Sequence, residues 1–250
     1  MRVLKSDFRP DHLWFCDDIF GLKPGWIAEF AGEVIRNDAG IPFKCLSRSD
    51  LLLKEETILH LKRAGCQTVW IGAESGSQKI LDAMEKGTTV EQIYESTRRL
   101  HEEGIRVGHF LQYGYPGETR ADIESTLRMV KECKPDEIGI SVSYPLPGTA
   151  FYERVKPGLG EKQNWIDSRD LDPMHGTEYS QEFYRALHRL THKKFRVWQG
   201  IDILKRSISR PSLPDRRTIR RLASTAYHAL TLPGLEAELD ALSRRADTSR

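Results

Sequence analysis

Between His12 and Pro145 the chain repeats one plan, a short apolar run that ends in polar or glycine residues and is followed by a stretch of helical period. Five such runs, residues 12–18, 43–49, 68–75, 106–114 and 137–144, read as strands whose starts lie 31, 25, 38 and 31 residues apart. A parallel return needs a connection of about a dozen residues or more, so this spacing implies crossover helices and parallel strands. The connections carry helix signals of their own. Thr119 with Asp122 reads as a capping box ahead of Ile123, Leu127 and Val130, and Thr89 caps a helix with Val90, Ile93 and Leu100 on one face. Gly65, Gly87 and Gly104 stand where helix C-caps are wanted, and Lys134 with Pro135 stops the helix before the fifth strand.

Successive strand residues point to opposite faces. One face reads as apolar throughout, with Leu13 and Phe15, Phe43 and Cys45, Val69, Ile71 and Ala73, Val107, His109 and Leu111, then Ile138, Ile140 and Val142, and is expected under the helices. The other carries Cys16 and Asp18, Lys44 and Arg48, Gly72 and Glu74, Gly108 and Gln112, then Gly139, Ser141 and Ser143. A closed eight-stranded barrel fills its interior with bulky branched side chains, and a doubly wound sheet tends to be apolar on both faces. A small, polar and charged inner face suits a wide, partly open barrel around a polar ligand. The expected fold class is α/β, a partial parallel (β/α) barrel of about five strands over residues 1–155 with a helical C-terminal extension over residues 156–250.

With 39% apolar and 30% charged residues and a mean hydropathy of −0.51, the chain has hydrophobics enough to offset the entropy of ordering. No run of about 18 apolar residues marks a membrane span, and the first residues lack the apolar stretch of a secretory signal, so a cytoplasmic protein is expected. Cys16, Cys45, Cys66 and Cys133 are separated by 29, 21 and 67 positions. That matches neither a compact disulfide framework nor a zinc pattern of close pairs, and they read as reduced, mostly buried thiols with no metal site assigned.

In parallel barrels the functional groups gather at the C-terminal ends of the strands. Here those ends hold Asp17 and Asp18, Arg48, Glu74 with Ser75 and Ser77, Gln112 and Tyr113 with Pro116 and Gly117, and Ser143 with Pro145. Acids, one arginine and several hydroxyls around one mouth suit a small zwitterion with an amine, a carboxylate and a ribose-like diol. Each residue also has a plainer reading. Asp18 can cap the next helix, Arg48 can pair with Glu74 across the barrel, and Ser77 can be the N-cap of the helix carrying Ile80, Leu81 and Met84.

Four segments carry a resemblance: Phe15-Cys16-Asp17-Asp18-Ile19-Phe20; Gly72-Ala73-Glu74-Ser75-Gly76-Ser77 with Lys86-Gly87; Gly114-Tyr115-Pro116-Gly117-Glu118-Thr119; and Pro145-Leu146-Pro147-Gly148-Thr149 with Phe151-Tyr152. In that order they resemble successive strand ends of radical S-adenosylmethionine (radical SAM) enzymes. The branch they are most similar to joins a cobalamin-binding domain to this barrel, as in anaerobic porphyrin-ester cyclases and related methyltransferases. The resemblance covers roughly residues 10–155. It implies S-adenosylmethionine as cofactor, chelated to the open iron of a [4Fe-4S] cluster and reductively cleaved to a 5'-deoxyadenosyl radical that takes a hydrogen from a small-molecule substrate. By position it implies Asp17 or Asp18 for the amine, Arg48 for the carboxylate, and Glu74 with Ser75 or Ser77 for the ribose hydroxyls. The turn from Gly114 to Thr119, with Gln112 and Tyr113 before it, and the strand end from Ser143 to Pro145 would line the adenine. No catalytic residue is assigned.

The cluster motif of that family, Cys-x3-Cys-x2-Cys after the first strand, does not occur in these 250 residues. The chain is therefore expected to be a core fragment that lacks the first strand, the cluster loop and any upstream cobalamin domain, and to be inactive alone. Two further readings stand beside this one. Asp17, Asp18 and Glu74 could surround a divalent ion in a metal-dependent barrel lyase, or the chain could be a non-catalytic binding module that docks a partner through its basic end.

Residues 191–250 hold 13 Lys and Arg against 6 Asp and Glu, with Arg210, Arg216, Arg217, Arg220 and Arg221 clustered. No nucleic-acid motif accompanies them, and they read as a solvated helical face. Residues 178–204 show apolar positions Phe183, Leu187, Leu190, Val197, Ile201 and Leu204 at helical spacing, and residues 222–242 form a second helical segment after a break at Pro211 and Pro214. His188 and His192 lie four apart, with Trp198 beyond, and read as packing or surface residues of a helical cap.

Overall fold

The computed structural model describes residues 1–159, 171, 173–209 and 216–248; Arg210, Pro211 and Pro214 lie outside them. Five strands, β1 (Leu13–Trp14), β2 (Phe43–Ser47), β3 (Cys66–Glu74), β4 (Arg106–Tyr113) and β5 (Glu137–Val142), lie side by side in chain order as a parallel half-barrel. The registers Leu13↔Phe43, Cys45↔Val69 and Val69↔Val107 place the expected apolar positions in line. The chain divides into two compact units, Met1–Leu111 with Pro135–Gly139, and Gln112–Lys134 with Ile140–Arg250.

In the first unit the period-2 pattern becomes a layered core. Phe43, Cys45, Val69, Ile71, Ala73, Val107, His109 and Leu111 are all buried on the helix-facing side. Helices α1 (Trp26–Arg36), α3 (Thr57–Arg63), α4 (Gln78–Ala83) and α5 (Val90–Glu102) bury Ile27 and Val34, Ile58 and Leu61, Ile80 and Leu81, and Ile93 and Leu100. The short α2 (Ser49–Leu52) follows β2 directly. Thr89 opens α5 with the expected cap: its Oγ1 accepts from Gln92 N at 3.2 Å while its own N–H donates to Gln92 Oε1 at 3.0 Å.

Two expectations about this unit change. The first strand is two residues long, because after Phe15 N donates to Lys44 O the chain leaves the sheet, and it rejoins only where Phe20 N donates to Leu46 O. A cluster of Phe15, Phe20, Trp26, Phe30 and Phe43, with ring centroids 4.7–5.9 Å apart, holds this excursion in place of ladder bonds. The inner face, in turn, is not uniformly small and polar. Trp70 and Phe110 stack on it with centroids 4.6 Å apart, and Lys44 Nζ sits 3.9 Å from the Trp14 ring. Gly108 and Gly139 are the sockets for that pair. A Cβ at Gly108 would lie 2.6 Å from a Trp70 ring carbon, and one at Gly139 would lie 3.0 Å from Phe110 Cδ1.

In the second unit α6 (Arg120–Cys133), capped as expected by Thr119 N donating to Asp122 Oδ2 at 2.9 Å, shares a core with the long α8 (Gln181–Ser209) and α9 (Arg216–Thr248). Short α7 (Ala150–Val155) follows β5. Only the first half of the α8 stripe is core: Phe183, Leu187 and Leu190 are buried, whereas Ile201 and Leu204 are exposed. The α8–α9 hairpin is antiparallel and zipped at one end by Arg189–Glu238 at 2.7 Å and Lys194–Glu236 at 2.8 Å. No described helix is long and apolar enough to cross a membrane.

Gly200 sets how closely α9 lies on α8. A mid-helix glycine costs about 1 kcal/mol relative to alanine, yet a Cβ here would overlap Thr225, reaching 2.6 Å from its Cβ. Gly200→Ala is therefore expected to lower stability by about 1–3 kcal/mol through overpacking. A stabilised variant in urea unfolding would refute the close approach.

Candidate functional site

The end of β3 is built around a residue in left-handed backbone. Glu74 takes φ +54°, where non-glycine residues are uncommon, and strand pairing slips between Gly72 and Glu74 at the same point. The Glu74 carboxylate lies over Gly72 and its Oε1 accepts from Lys86 Nζ at 2.7 Å. Glycine leaves room beneath it, since a Cβ on residue 72 would lie 2.7 Å from that oxygen and 3.0 Å from the ammonium and would shift the pair. Ser75 is fully buried; its N–H donates to Ala73 O at 2.6 Å and its Oγ accepts from Ser77 N at 3.1 Å, which tightens the turn into α4. Ser77 is half-buried and is the N-cap residue of α4.

Arg48, at the end of β2, donates from Nε to Asp50 Oδ1 at 2.9 Å and from Nη2 to the Lys86 carbonyl at 3.1 Å. Arg48 and Glu74 thus meet through Lys86, whose carbonyl takes the arginine and whose ammonium takes the glutamate. The left-handed Gly87, φ +65°, lets the chain turn there with Arg48 Nη2 3.5 Å from where its Cβ would be. Lys86 and Asp50 are the members of this cluster that the sequence reading gave no role. Asp17 and Asp18 are exposed, and among the described residues no hydrogen bond or ion pair joins them to the cluster.

At the strand ends of the second unit, the loop after β4 is clasped by Glu118. This carboxylate is fully buried and accepts from Gly114 N at 2.6 Å, between the left-handed Gly114 and Gly117. Pro116 is half-buried and Gly117 exposed at the tip, while Gln112 is half-buried on β4. Tyr113 faces the core, its hydroxyl 3.2 Å from Thr191 Oγ1, and burial pushes its phenol well above the usual range. Ser143 is fully buried and Pro145 buried; Ser143 N donates to Tyr113 O at 2.8 Å, and the Ser143 carbonyl accepts from His175 Nε2 at 3.1 Å. His175, Phe151 and Tyr115 form a row, with centroids 5.4 and 5.1 Å apart, and Arg154 Nη1 donates to the Tyr115 hydroxyl at 2.9 Å. Burial lowers the His175 pKa below the ordinary imidazole value. His175 carried no signal in the sequence because its segment is irregular and shows no period.

Residues 13–130 match the family described as the radical SAM superfamily. Over this stretch, a little under half of its length, the chain is similar to the radical SAM domain. It is 25% identical over 232 residues to an uncharacterised methyltransferase of Pyrococcus horikoshii, covering 92% of this chain and 50% of that protein. It is 29% identical over 140 residues to the anaerobic magnesium-protoporphyrin IX monomethyl ester cyclase of Rubrivivax gelatinosus, covering 56% of this chain and 24% of that one. The cobalamin-dependent S-adenosylmethionine radical enzyme OxsB shares the fold, with a TM-score of 0.62 at 14% identity over 92% of this chain and 40% of its own. The chain spans half or less of the length of these relatives.

Radical SAM enzymes bring two groups to such a barrel, and the residues here fit them unequally. Charged and hydroxylated groups at the strand ends of β2 and β3 suit the amino acid and ribose parts of S-adenosylmethionine. The cysteines do not suit the three-thiolate set of a [4Fe-4S] cluster. Cys16 is exposed, whereas Cys45, Cys66 and Cys133 are buried, and the neighbouring Cys66 and burial push the Cys45 thiol well up. Among the described residues no three His, Cys, Asp or Glu side chains are grouped to hold a metal ion, which also leaves the divalent-ion lyase without a centre. His188 and His192 do lie together, with ring centroids 4.6 Å apart.

Proposed function

We propose that the chain supplies the S-adenosylmethionine-binding strand ends of a radical SAM enzyme whose full form cleaves this cofactor reductively at a [4Fe-4S] cluster, or uses it for methylation with cobalamin, on a small-molecule substrate. The observation that carries the reading is the Glu74–Lys86–Arg48 cluster. Its glutamate is held in a strained backbone by a bulge and a glycine, as expected where local strain serves a site. Lys86 holds Oε1 and leaves Oε2 to accept a ribose hydroxyl, with Ser77 beside it; Ser75 shapes the turn. Arg48, anchored by Asp50, offers its guanidinium to the ligand carboxylate, and the exposed Asp17 or Asp18 takes the amine. Gln112, Tyr113, Pro116, Gly117, Ser143 and Pro145 remain assigned to the adenine, Tyr113 and Ser143 through backbone because their side chains are buried. The methyltransferase and the porphyrin ester cyclase among the relatives are of the kinds that the resemblance groups with the cobalamin-associated branch.

The chain is expected to bind S-adenosylhomocysteine weakly, with a Kd of about 1 mM, or roughly −4 kcal/mol. It is not expected to take up a stoichiometric cluster on anaerobic incubation with iron and sulfide. Ligand-observed NMR and the visible absorbance of the reconstituted protein test the two statements. Absence of saturable binding would remove the cofactor reading, and a full cluster with 5'-deoxyadenosine production would show that the cysteines assemble in a way their burial argues against.

A further inference from the structure

The α8–α9 hairpin is electrostatically lopsided. At one end its cations are paired with Glu236 and Glu238, but between Asp215 and Glu236 the sequence has no acid at all. The other end holds a cleft of about 590 Å³ lined by Arg196, Gln199 and Gly200 of α8 and by Arg220, Arg221 and Ser224 of α9. This is within the range of about 300–1,000 Å³ typical of small-ligand sites. Residues 196, 199, 200 and 203 recur on one helical face, and 220, 221, 224 and 225 on another, so the cleft is the meeting of two faces rather than a loop accident.

Among the described residues no carboxylate pairs with Arg196, Arg220 or Arg221. Arg196 Nη1 donates only to the neutral Gln199 Oε1, at 3.1 Å. Asp202, the acid of this stretch of α8, is taken by Lys134 at 3.2 Å. The positive potential registers on neighbouring imidazoles. His192 is pushed down to about 4 by burial, then by His188 and Arg196, and His228 is lowered by burial and then by Lys193 and Arg196. The absence of a side chain on Gly200 keeps the helices close enough for Arg196, Arg220 and Arg221 to line one cleft.

We propose that this cleft binds phosphate groups, presented either by a nucleic-acid backbone or by a phosphorylated small molecule. Three guanidinium forks and a serine hydroxyl supply more donors than a single carboxylate can accept, whereas several phosphate groups, whose oxygens accept from guanidinium forks bidentately, can balance the three positive charges. Ile203 is the one aliphatic side chain at the wall. The basic stretch of the sequence is then a built site instead of a solvated face.

The test uses the whole chain and two probes, a fluorescein-labelled single-stranded RNA dodecamer read by anisotropy and inorganic pyrophosphate read by calorimetry. With three phosphates neutralised, the slope of log K against log salt for the RNA should be about −2, a loss of about 20-fold between 50 and 200 mM salt. The variant Arg196→Gln/Arg220→Gln/Arg221→Gln should weaken the sensitive probe at least about tenfold and flatten the slope toward zero. The variant Arg98→Gln/Arg99→Gln/Arg106→Gln has the same change in net charge in the first unit and should alter it less than about twofold. Sensitivity of the RNA alone assigns a nucleic-acid backbone, and sensitivity of pyrophosphate, with or without the RNA, assigns a small phosphorylated ligand. If neither probe binds at 50 mM salt, or both variants weaken binding equally, the site is refuted. Unchanged far-ultraviolet circular dichroism of the variants excludes unfolding as the cause.

Discussion

Glu74→Gly is expected to lower the affinity for S-adenosylhomocysteine by about 10- to 100-fold, the worth of one hydrogen bond to a charged group at about 1.5–3 kcal/mol. The same variant should melt no lower than the parent. Glu74 occupies φ +54°, and a left-handed conformation costs a side chain about 1–2 kcal/mol that glycine does not pay. Against this stands the lost pair with Lys86, whose side chain is 28% exposed, so that its contribution is of the order of 1 kcal/mol or less. The two stability terms nearly cancel, and binding takes the whole loss. A purely structural glutamate predicts the reverse, a lower melting temperature with unchanged ligand saturation. The comparison of thermal melts with NMR binding isotherms decides between them.

Why a role for Glu74 could be read from the sequence, while Lys86 stood there only as part of a motif, is a matter of range. Alternation along a strand is local, so Gly72 and Glu74 fall on one face as soon as the strand is recognised, and the spacing of the runs delivers parallel order with no further knowledge. Lys86 enters from twelve residues on, after α4, and its partnership depends on how a loop folds back over a strand end. The same limit applies to His175, which reaches the Ser143 carbonyl from an irregular segment. Trp70 and Phe110 are a different case. Their signal was present, since Gly108 and Gly139 lie on the same face as the two aromatics, and small residues beside large ones mark a socket as readily as a polar lining. The first strand shows the opposite failure. Leu13 and Phe15 alternate correctly, but Asp17 and Asp18 belong to an excursion that an aromatic cluster stabilises, and period alone does not reveal where an edge strand stops pairing.

The apolar reading of the helix-facing side has one exception with a measurable consequence. His109 is fully buried among the core residues of β4, bonded to Thr97 Oγ1 through Nε2 at 2.9 Å, with Nδ1 lacking a partner. Burial, and then the nearby His101, push its pKa down to about 3, from 6.5 in the exposed state. Between these values the unfolded chain binds a proton that the folded chain refuses. Stability is therefore full above about pH 6.5 and falls as the pH drops toward 3, by about 2 kcal/mol at pH 5 for this one group. His175, His192 and His228 are lowered too and act with the same sign. Glu95, held near 2 by Arg98 and Arg99, loses its pairing only at lower pH. The total acid slope thus mixes several groups, and a variant is needed to isolate one. His109→Gln keeps a hydrogen-bonding group toward Thr97 and has nothing to titrate. In urea unfolding at pH 5 and pH 7 the loss of stability on acidification should be smaller in this variant by about 2 kcal/mol, a difference that holds whatever the substitution does to stability at pH 7. Equal losses in variant and parent would mean that the folded protein accepts a proton at His109, and hence that water or an acidic partner reaches the ring between the sheet and α5.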